Sequence, residues 1–355
     1  MKEDKNTHIS PNMHLSGYFD SNFGDDMMMK LVVSSLPDIM FAVENTAETP
    51  IWAEPNVIRK SREDCALLPK LIVIGSGFMI NNRDAVKWEL MDFLRRRHPG
   101  DYCLGCNIEP LDTPLKRFLI SKKLDRFRLI TCRDQVSYRW LRDKTRKPAV
   151  HYAPDILFSI PEEWLPVAEN PEKLGISLMH RAGDTKDCAY YRVMAEMADR
   201  WICKTGKGVI LMAFDTGKED DLFACNAVKA LMQYPNQVEI VAHRDGAEIP
   251  AAFAQCKKII AARFHGIVLA LRMGIPLYPL IFREKARNLL KDIQYPFPAC
   301  DLDSLDTTGI RAFLEDSEPS FVVAEDIFVC AKEHTQLLKQ QFERAYHNEN
   351  KKSPG

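Results

Sequence analysis

Short apolar runs, each closed by a polar or glycine-bearing turn, alternate along this chain with longer stretches of helical spacing. That alternation constrains the fold more than any single motif. A near-continuous apolar strand needs cover on both faces, and a helix after each strand supplies it. "LIVIGSG" (Leu71 to Gly77) is such a strand, and "AVKWELMDFLRRR" has helical spacing. "DYCLGCN", "PLKRFLISKK", "FRLITCRD" (Phe127 to Asp134), "QVSYRWLRD" and "VHYAPD" continue the series. The pattern predicts a mostly parallel sheet with helices on both sides.

The series then repeats. "IPEEWLPVAENPEK" (Ile160 to Lys173) carries three prolines and several acids and reads as a linker. Beyond it come the strand "KLGISLMHR", the helix "DCAYYRVMAEMADRWICK", the strand "GVILMAFD" and the helix "DDLFACNAVKALMQY". "QVEIVAH" and "CKKIIAA" read as strands, "HGIVLALRM" as a helix and "IPLYPLI" as a strand. The predicted class is α/β, with two Rossmann-like domains facing a cleft. Residues 1–165 form the N-terminal domain and 172–310 the C-terminal domain. Residues 311–355 form a helical tail that closes the second domain and can cross back to the first. A chain of 355 residues suits two cores better than one.

Composition removes several classes of function. The formal net charge is −1, which gives no basic surface for nucleic acid. No apolar run reaches the length of a membrane span, and "MKEDKNTHIS" lacks the apolar core of a secretion signal, so a cytoplasmic location is expected. The ten cysteines are scattered and read as reduced. Cys103 and Cys106 form the one CxxC, with no second pair to complete a zinc site, so no metal is assigned. Phosphate-loop, HExxH and GxSxG signatures are absent from the sequence. Nothing in it sets an oligomeric state.

Ligands of open parallel sheets bind beyond the C-terminal ends of the strands. Four stretches fall there. In "GYFDSNFGDD", Asp25 is placed to cap the following helix, while Asp20 and Asn22 are left over for sugar hydroxyls. In "LIVIGSGFMINN", Gly75 and Gly77 lack the third glycine of a dinucleotide fingerprint and make a tight turn near the cleft. In "ISLMHRAGD", Arg181 ends a strand and suits a carboxylate or phosphate, or else lies exposed without a partner. In "IIAARFHGIVLALRMGIPLYPL", Arg263, His265 and Gly266 stand where a strand turns into a helix. The helix N-terminus attracts an anion there, with Arg263 beside it and His265 as a proton carrier. Arg283 and Arg287 either extend that pocket or are solvated.

Taken together, "GYFDSNFGDD", the glycine-rich strand end, "RD" at Arg133 and Asp134, "APD" at Ala153 to Asp155, and "AARFHGIVLALRMGIP" resemble the polysaccharide pyruvyl transferase family. The resemblance runs from about Gly17 to Ile293. His180 before Arg181, and Phe19-Asp20-Ser21 in the opening loop, depart from the family pattern. The resemblance implies a glycosyltransferase-B-like pair of domains, phosphoenolpyruvate as donor substrate and no separate cofactor. It implies a sugar acceptor, commonly a lipid-linked repeat unit, so that an enzyme without a membrane span works peripherally near the inner membrane. The product is a cyclic pyruvate ketal, with phosphate released. On this reading His265 is the general acid. Arg263, Arg181 and the helix at Gly266 hold the anions. Asp20 is the base, with Asn22 and Asp25 orienting the acceptor. Three alternatives stand beside it: a nucleotide-sugar glycosyltransferase on the same plan, a non-catalytic sugar-phosphate binder, and purely structural roles for His265 and Asp25.

Overall fold

The predicted sheet forms twice. In the computed structural model the described residues are 13–45, 50–73, 101–108, 114–315 and 321–350. Strands β1 (Met13–Ser16), β2 (Phe41–Glu44), β3 (Val57–Lys60), β4 (Lys70–Val73), β5 (Asp101–Cys106), β6 (Phe127–Cys132) and β7 (Ala149–Tyr152) lie in the order 3-2-1-4-5-6-7. Strands β8 (Lys173–Leu178), β9 (Val209–Ala213), β10 (Val238–Ala242), β11 (Cys256–Ala261), β12 (Leu277–Ile281) and β13 (Cys300–Asp301) lie in the order 10-9-8-11-12-13. All their pairings are parallel. β2 and β3, four residues each, are strands that the alternation does not announce.

Helices supply the cover. The first sheet carries α1 (Phe23–Ser34), α2 (Pro114–Leu124) and α3 (Gln135–Lys144). The second carries α4 (Ala189–Thr205), α5 (Asp221–Leu231), α6 (Glu248–Ala254), α7 (Phe264–Arg272), α8 (Glu284–Asp292) and α9 (Thr307–Glu315). The tail forms α10 (Glu325–Ala331) and α11 (Glu333–Asn350). β9 and β12 are buried along their whole length, as the continuous apolar runs require.

Both orders reverse beside the first strand of their sheet, between β1 and β4 and between β8 and β11. Connections leave in opposite directions at such a point and open a crevice beyond the strand ends. Here the crevices meet. The chain after β1 bonds directly to the chain after β9: Phe23 N–H donates to the Phe214 carbonyl at 2.8 Å and Thr216 N–H to Ser21 at 3.0 Å. An isolated antiparallel bridge pairs Asn22 with Asp215.

α1 explains how the two sheets share a core. Nine of its 12 residues are buried, too many for a helix with one solvent face. Phe23, Met27 and Met28 belong to one apolar cluster with Ile210, Met212, Phe214 and Phe253 of the second sheet and its helices. The Phe23 ring meets Phe214 edge-on at 5.2 Å. On the same helix Asp26 accepts a hydrogen bond from the buried His243 at 2.8 Å. The tail returns to the first sheet: α11 packs on β5 and β6, and α10 on the turn at Ile156–Ser159. His334 anchors it, pairing with the Thr131 hydroxyl and with the Pro154 carbonyl at 2.7 Å.

Candidate functional site

A cavity of about 280 Å³ opens where the two switch points face each other. Tyr18, Asn22 and Asp25 border it from the loop after β1 and the first turn of α1. The opposite wall is Asp215, Lys218 and Glu219 after β9, Arg263 to His265 at the start of α7, and Phe282, Arg283, Lys285 and Ala286 after β12. Glycine makes this proximity sterically feasible. A Cβ on Gly24 would lie 1.6 Å from His265 Nδ1, so only a residue without a side chain lets the imidazole sit against α1. Two motifs some 240 positions apart in the chain are one structure.

His265 is the second residue of α7 and is 6% exposed. Its Nε2 is enclosed, has no hydrogen-bond partner among the described residues and faces Asp155 Oδ2 at 3.9 Å. Burial pushes its pKa down to about 3; Asp155 opposes this, while Arg133, Lys285 and Arg263 add to it. The imidazole is therefore held neutral. The N–H groups of Phe264, His265 and Gly266 precede the first intrahelical bond, from Ile267 N–H to the Arg263 carbonyl.

Arg263 sits at the N-cap of α7, but its charge is matched. Its Nε donates to Asp221 Oδ2 at 2.7 Å, and its two other nitrogens pair with Asp221 and Glu219. Burial disfavours the cation, yet Asp221 and Glu219 more than offset it and raise the pKa. Asp221 also accepts from His180 N–H at 3.0 Å and Asp215 N–H at 2.9 Å. This buried carboxylate ties the ends of β8 and β9 to the start of α7. Gly266 is a close-packing residue: a Cβ there would lie 2.7 Å from Ser177 Oγ on β8.

Three sequence expectations are corrected. Asn22, not Asp25, caps α1: its side-chain oxygen accepts from Gly24 N–H at 3.0 Å and Asp25 N–H at 3.4 Å, and its Nδ2 donates to Asp215 at 3.1 Å. Only an extended residue one turn earlier can reach those amides, and Asp25 is already helical. Asp25 instead borders the cavity. Asp20 does not border it; its Oδ2 accepts from the Tyr18 hydroxyl at 2.9 Å and from Lys218 N–H at 3.2 Å. Arg181 is turned to Asp184 and Asp303, outside the cavity lining, and Asp184 raises its pKa. Gly75 and Gly77, and the helical run expected from Ala85 to Arg97, lie outside the described residues.

Sequence reasoning missed a buried group behind His265. Arg133 donates to Asp155 Oδ2 at 2.9 Å and to Asn107 at 2.8 Å, and its guanidinium lies 4.3 Å from the Phe264 ring centroid. Lys285 Nζ is 5.1 Å from the centroid of the same ring. The "RD" and "APD" motifs were the available signal, since an arginine and an acid at successive strand ends come together in a parallel sheet. Among the described residues, no group of three His, Cys, Asp or Glu side chains could hold a metal ion. No helix among them is long and apolar enough to cross a membrane.

Solved structures share the architecture. UDP-GlcNAc 2-epimerase of Methanocaldococcus jannaschii, in complex with UDP-GlcNAc and UDP, superposes with a TM-score of 0.55 at 9% identity over 93% of this chain and 100% of its own. Anabaena HepE, in complex with UDP and glucose, gives 0.54 at 13% identity over 95% and 99%. The wall teichoic acid polymerase TagF gives 0.52 at 9% over 94% and 90%. Such identities establish a glycosyltransferase-B-like, two-domain fold and nothing finer. No curated protein matches the chain in sequence. Residues 22–281, which begin at the Asn22 cap and end with β12, match the profile of polysaccharide pyruvyl transferase. With the switch-point cavity lying inside that interval but for Tyr18 and the four lining residues after β12, the chain belongs to the polysaccharide pyruvyl transferase family, as a sugar-modifying transferase.

Proposed function

We propose that this enzyme transfers a pyruvyl group from phosphoenolpyruvate to two hydroxyls of a sugar, forming a cyclic ketal and releasing phosphate. The observation that carries this reading is the meeting of His265, at the N-terminus of α7, with the N-terminal turn of α1 at Gly24. A proton-exchanging ring and an anion-attracting helix end then share a cavity with Lys285 and Arg283.

The donor's phosphate and carboxylate take the amides of Phe264, His265 and Gly266 and the charge of Lys285. Arg263 orients them while keeping Asp221. Burial holds the imidazole neutral. Entry of the donor's negative charges stabilises the imidazolium and draws a proton onto the ring. His265 gives that proton to the methylene carbon, and C2 becomes electrophilic. One sugar hydroxyl adds to C2, losing its proton. The second hydroxyl then forms its own bond to C2 as the C2–O bond to phosphate breaks, and phosphate leaves with the electron pair. Asp25, at the rim of α1, orients the hydroxyls and accepts a proton in place of Asp20. A lipid-linked acceptor would bring the enzyme to the membrane surface as a peripheral protein.

Calorimetry with phosphoenolpyruvate tests the donor, and phosphate release with candidate sugars tests the reaction. Saturable binding that weakens at least tenfold in folded Lys285→Ala supports this reading; no binding, with or without sugars, sinks it. The second reading, transfer from a nucleotide sugar, is favoured by the fold comparison taken alone, because two of those neighbours hold UDP with a sugar or a sugar nucleotide. UDP-sugar binding in a protein that ignores phosphoenolpyruvate would establish it.

A further inference from the structure

We propose that Asp155 is the positioning residue of His265, fixing its Nε2–H tautomer from the other domain and leaving Nδ1 to exchange the proton. The inference deepens the pyruvyl-transfer reading and rests on it for its kinetic consequence, though not for its structural one.

Asp155 is 0% exposed and sits on the turn after β7. Its Oδ1 accepts Leu157 N–H at 3.0 Å, and its Oδ2 accepts Arg133 at 2.9 Å. Among the described residues, the remaining lone pair of Oδ2 faces His265 Nε2 at 3.9 Å. Burial alone would raise the Asp155 carboxyl; the facing His265, Arg133 and Leu157 N–H outweigh it and hold it below the usual carboxylate range. With the imidazole neutral, the fixed charge of Arg133 carries that stabilisation. An ionised carboxylate opposite an unprotonated Nε2 would set lone pair against lone pair, so the proton belongs on Nε2. A closure of about 1 Å between the domains brings the pair to hydrogen-bond distance. Nδ1, on the Gly24 side, is then the nitrogen that gains and gives the second proton.

The charged groups around the ring are Asp155 and Arg133 from the first domain, Asp25 beside Gly24, Lys285 on α8 and Arg263 on its own helix. Among the described residues, only Asp155 meets Nε2 with negative charge. Its role thus differs from that of the cavity carboxylates, which face the substrate.

The first measurement is the ¹⁵N chemical-shift pattern of the His265 imidazole in the whole protein, assigned by its loss in His265→Gln. A protonated Nε2 and an unprotonated Nδ1 at neutral pH support the proposal; the opposite tautomer overturns it. That readout needs no turnover, so it stands or falls apart from the choice of donor. The second is the pH profile of phosphate release in Asp155→Asn, which retains an oxygen for Arg133. The expected result is a kcat lower by about a hundredfold, with KM for phosphoenolpyruvate little changed. The descending limb should move to lower pH by about one unit, because the imidazolium has lost its counter-charge. An unshifted profile in a folded variant overturns the proposal. If the variant does not fold, the wild-type tautomer decides.

Discussion

At the residue scale the most exacting position is Gly24. A single methyl there would occupy the place of the His265 ring, 1.6 Å from Nδ1. Gly24→Ala is expected to keep its secondary structure while losing most turnover, as read by circular dichroism and phosphate release. Gly266→Ala meets Ser177 instead and should cost stability, about 1–3 kcal/mol in denaturant unfolding, with the residual folded enzyme less affected. These two glycines could not be separated in the sequence. Both follow strand ends in glycine-bearing motifs, and what distinguishes them is a neighbour far along the chain. Arg263 shows the same limit: its position at a strand-to-helix junction was legible, but the carboxylates that match its charge come from the loop after β9 (Glu219) and the start of α5 (Asp221).

At the element scale, α1 and α11 are the pieces that make the halves interdependent. Asn22→Ala removes the α1 cap and the link to Asp215 together, so a loss above the usual 1 kcal/mol or so for a cap is expected in unfolding experiments. His334 on α11 gives a pH signature. Burial pushes its pKa down to about 4, with the Pro154 and Ala153 backbone groups and Asp155 opposing. Its folded-state pKa thus lies below the unfolded value of roughly 6.5, so the unfolded chain binds the extra proton first. Its contribution is complete above about pH 6.5 and is lost as pH falls toward 4. Unfolding free energies measured across that window should fall less steeply in His334→Gln than in the wild type. His265, depressed in the same sense, contributes a similar slope that continues to lower pH. The central strands and α3, α4, α5 and α7 were legible because each is an apolar run or a clear helical period, whereas α8 and α9 were not assigned. β2 and β3 were not, because four residues carry too little period to register.

At the scale of the whole molecule, the alternation of strand and helix was enough to give two parallel sheets, and the rule that ligands lie beyond strand ends picked out two of the stretches that border the cavity, at Asn22 to Asp25 and Arg263 to His265. The sequence could not show that one apolar cluster runs from α1 into the second sheet. A single heat-absorption peak, with equal calorimetric and van't Hoff enthalpies, is therefore expected in place of two domain transitions. Two resolved peaks would mean that α1 does not couple the halves. Binding of phosphoenolpyruvate should raise that one transition temperature as ligand concentration increases.

The tail has a mechanical consequence. The chain passes from the first half to the second through residues 160–173, and α10 and α11, which follow α9 in the chain, pack back on the first half. A body held by a single strap swings and twists freely. One held by two straps turns easily only about the line joining them, like a door on a pair of hinges. A chain ending at Glu315 would keep every residue that borders the cavity and would still lose one hinge. The contacts of α1 with the second sheet would then have to hold His265 against Gly24 without it.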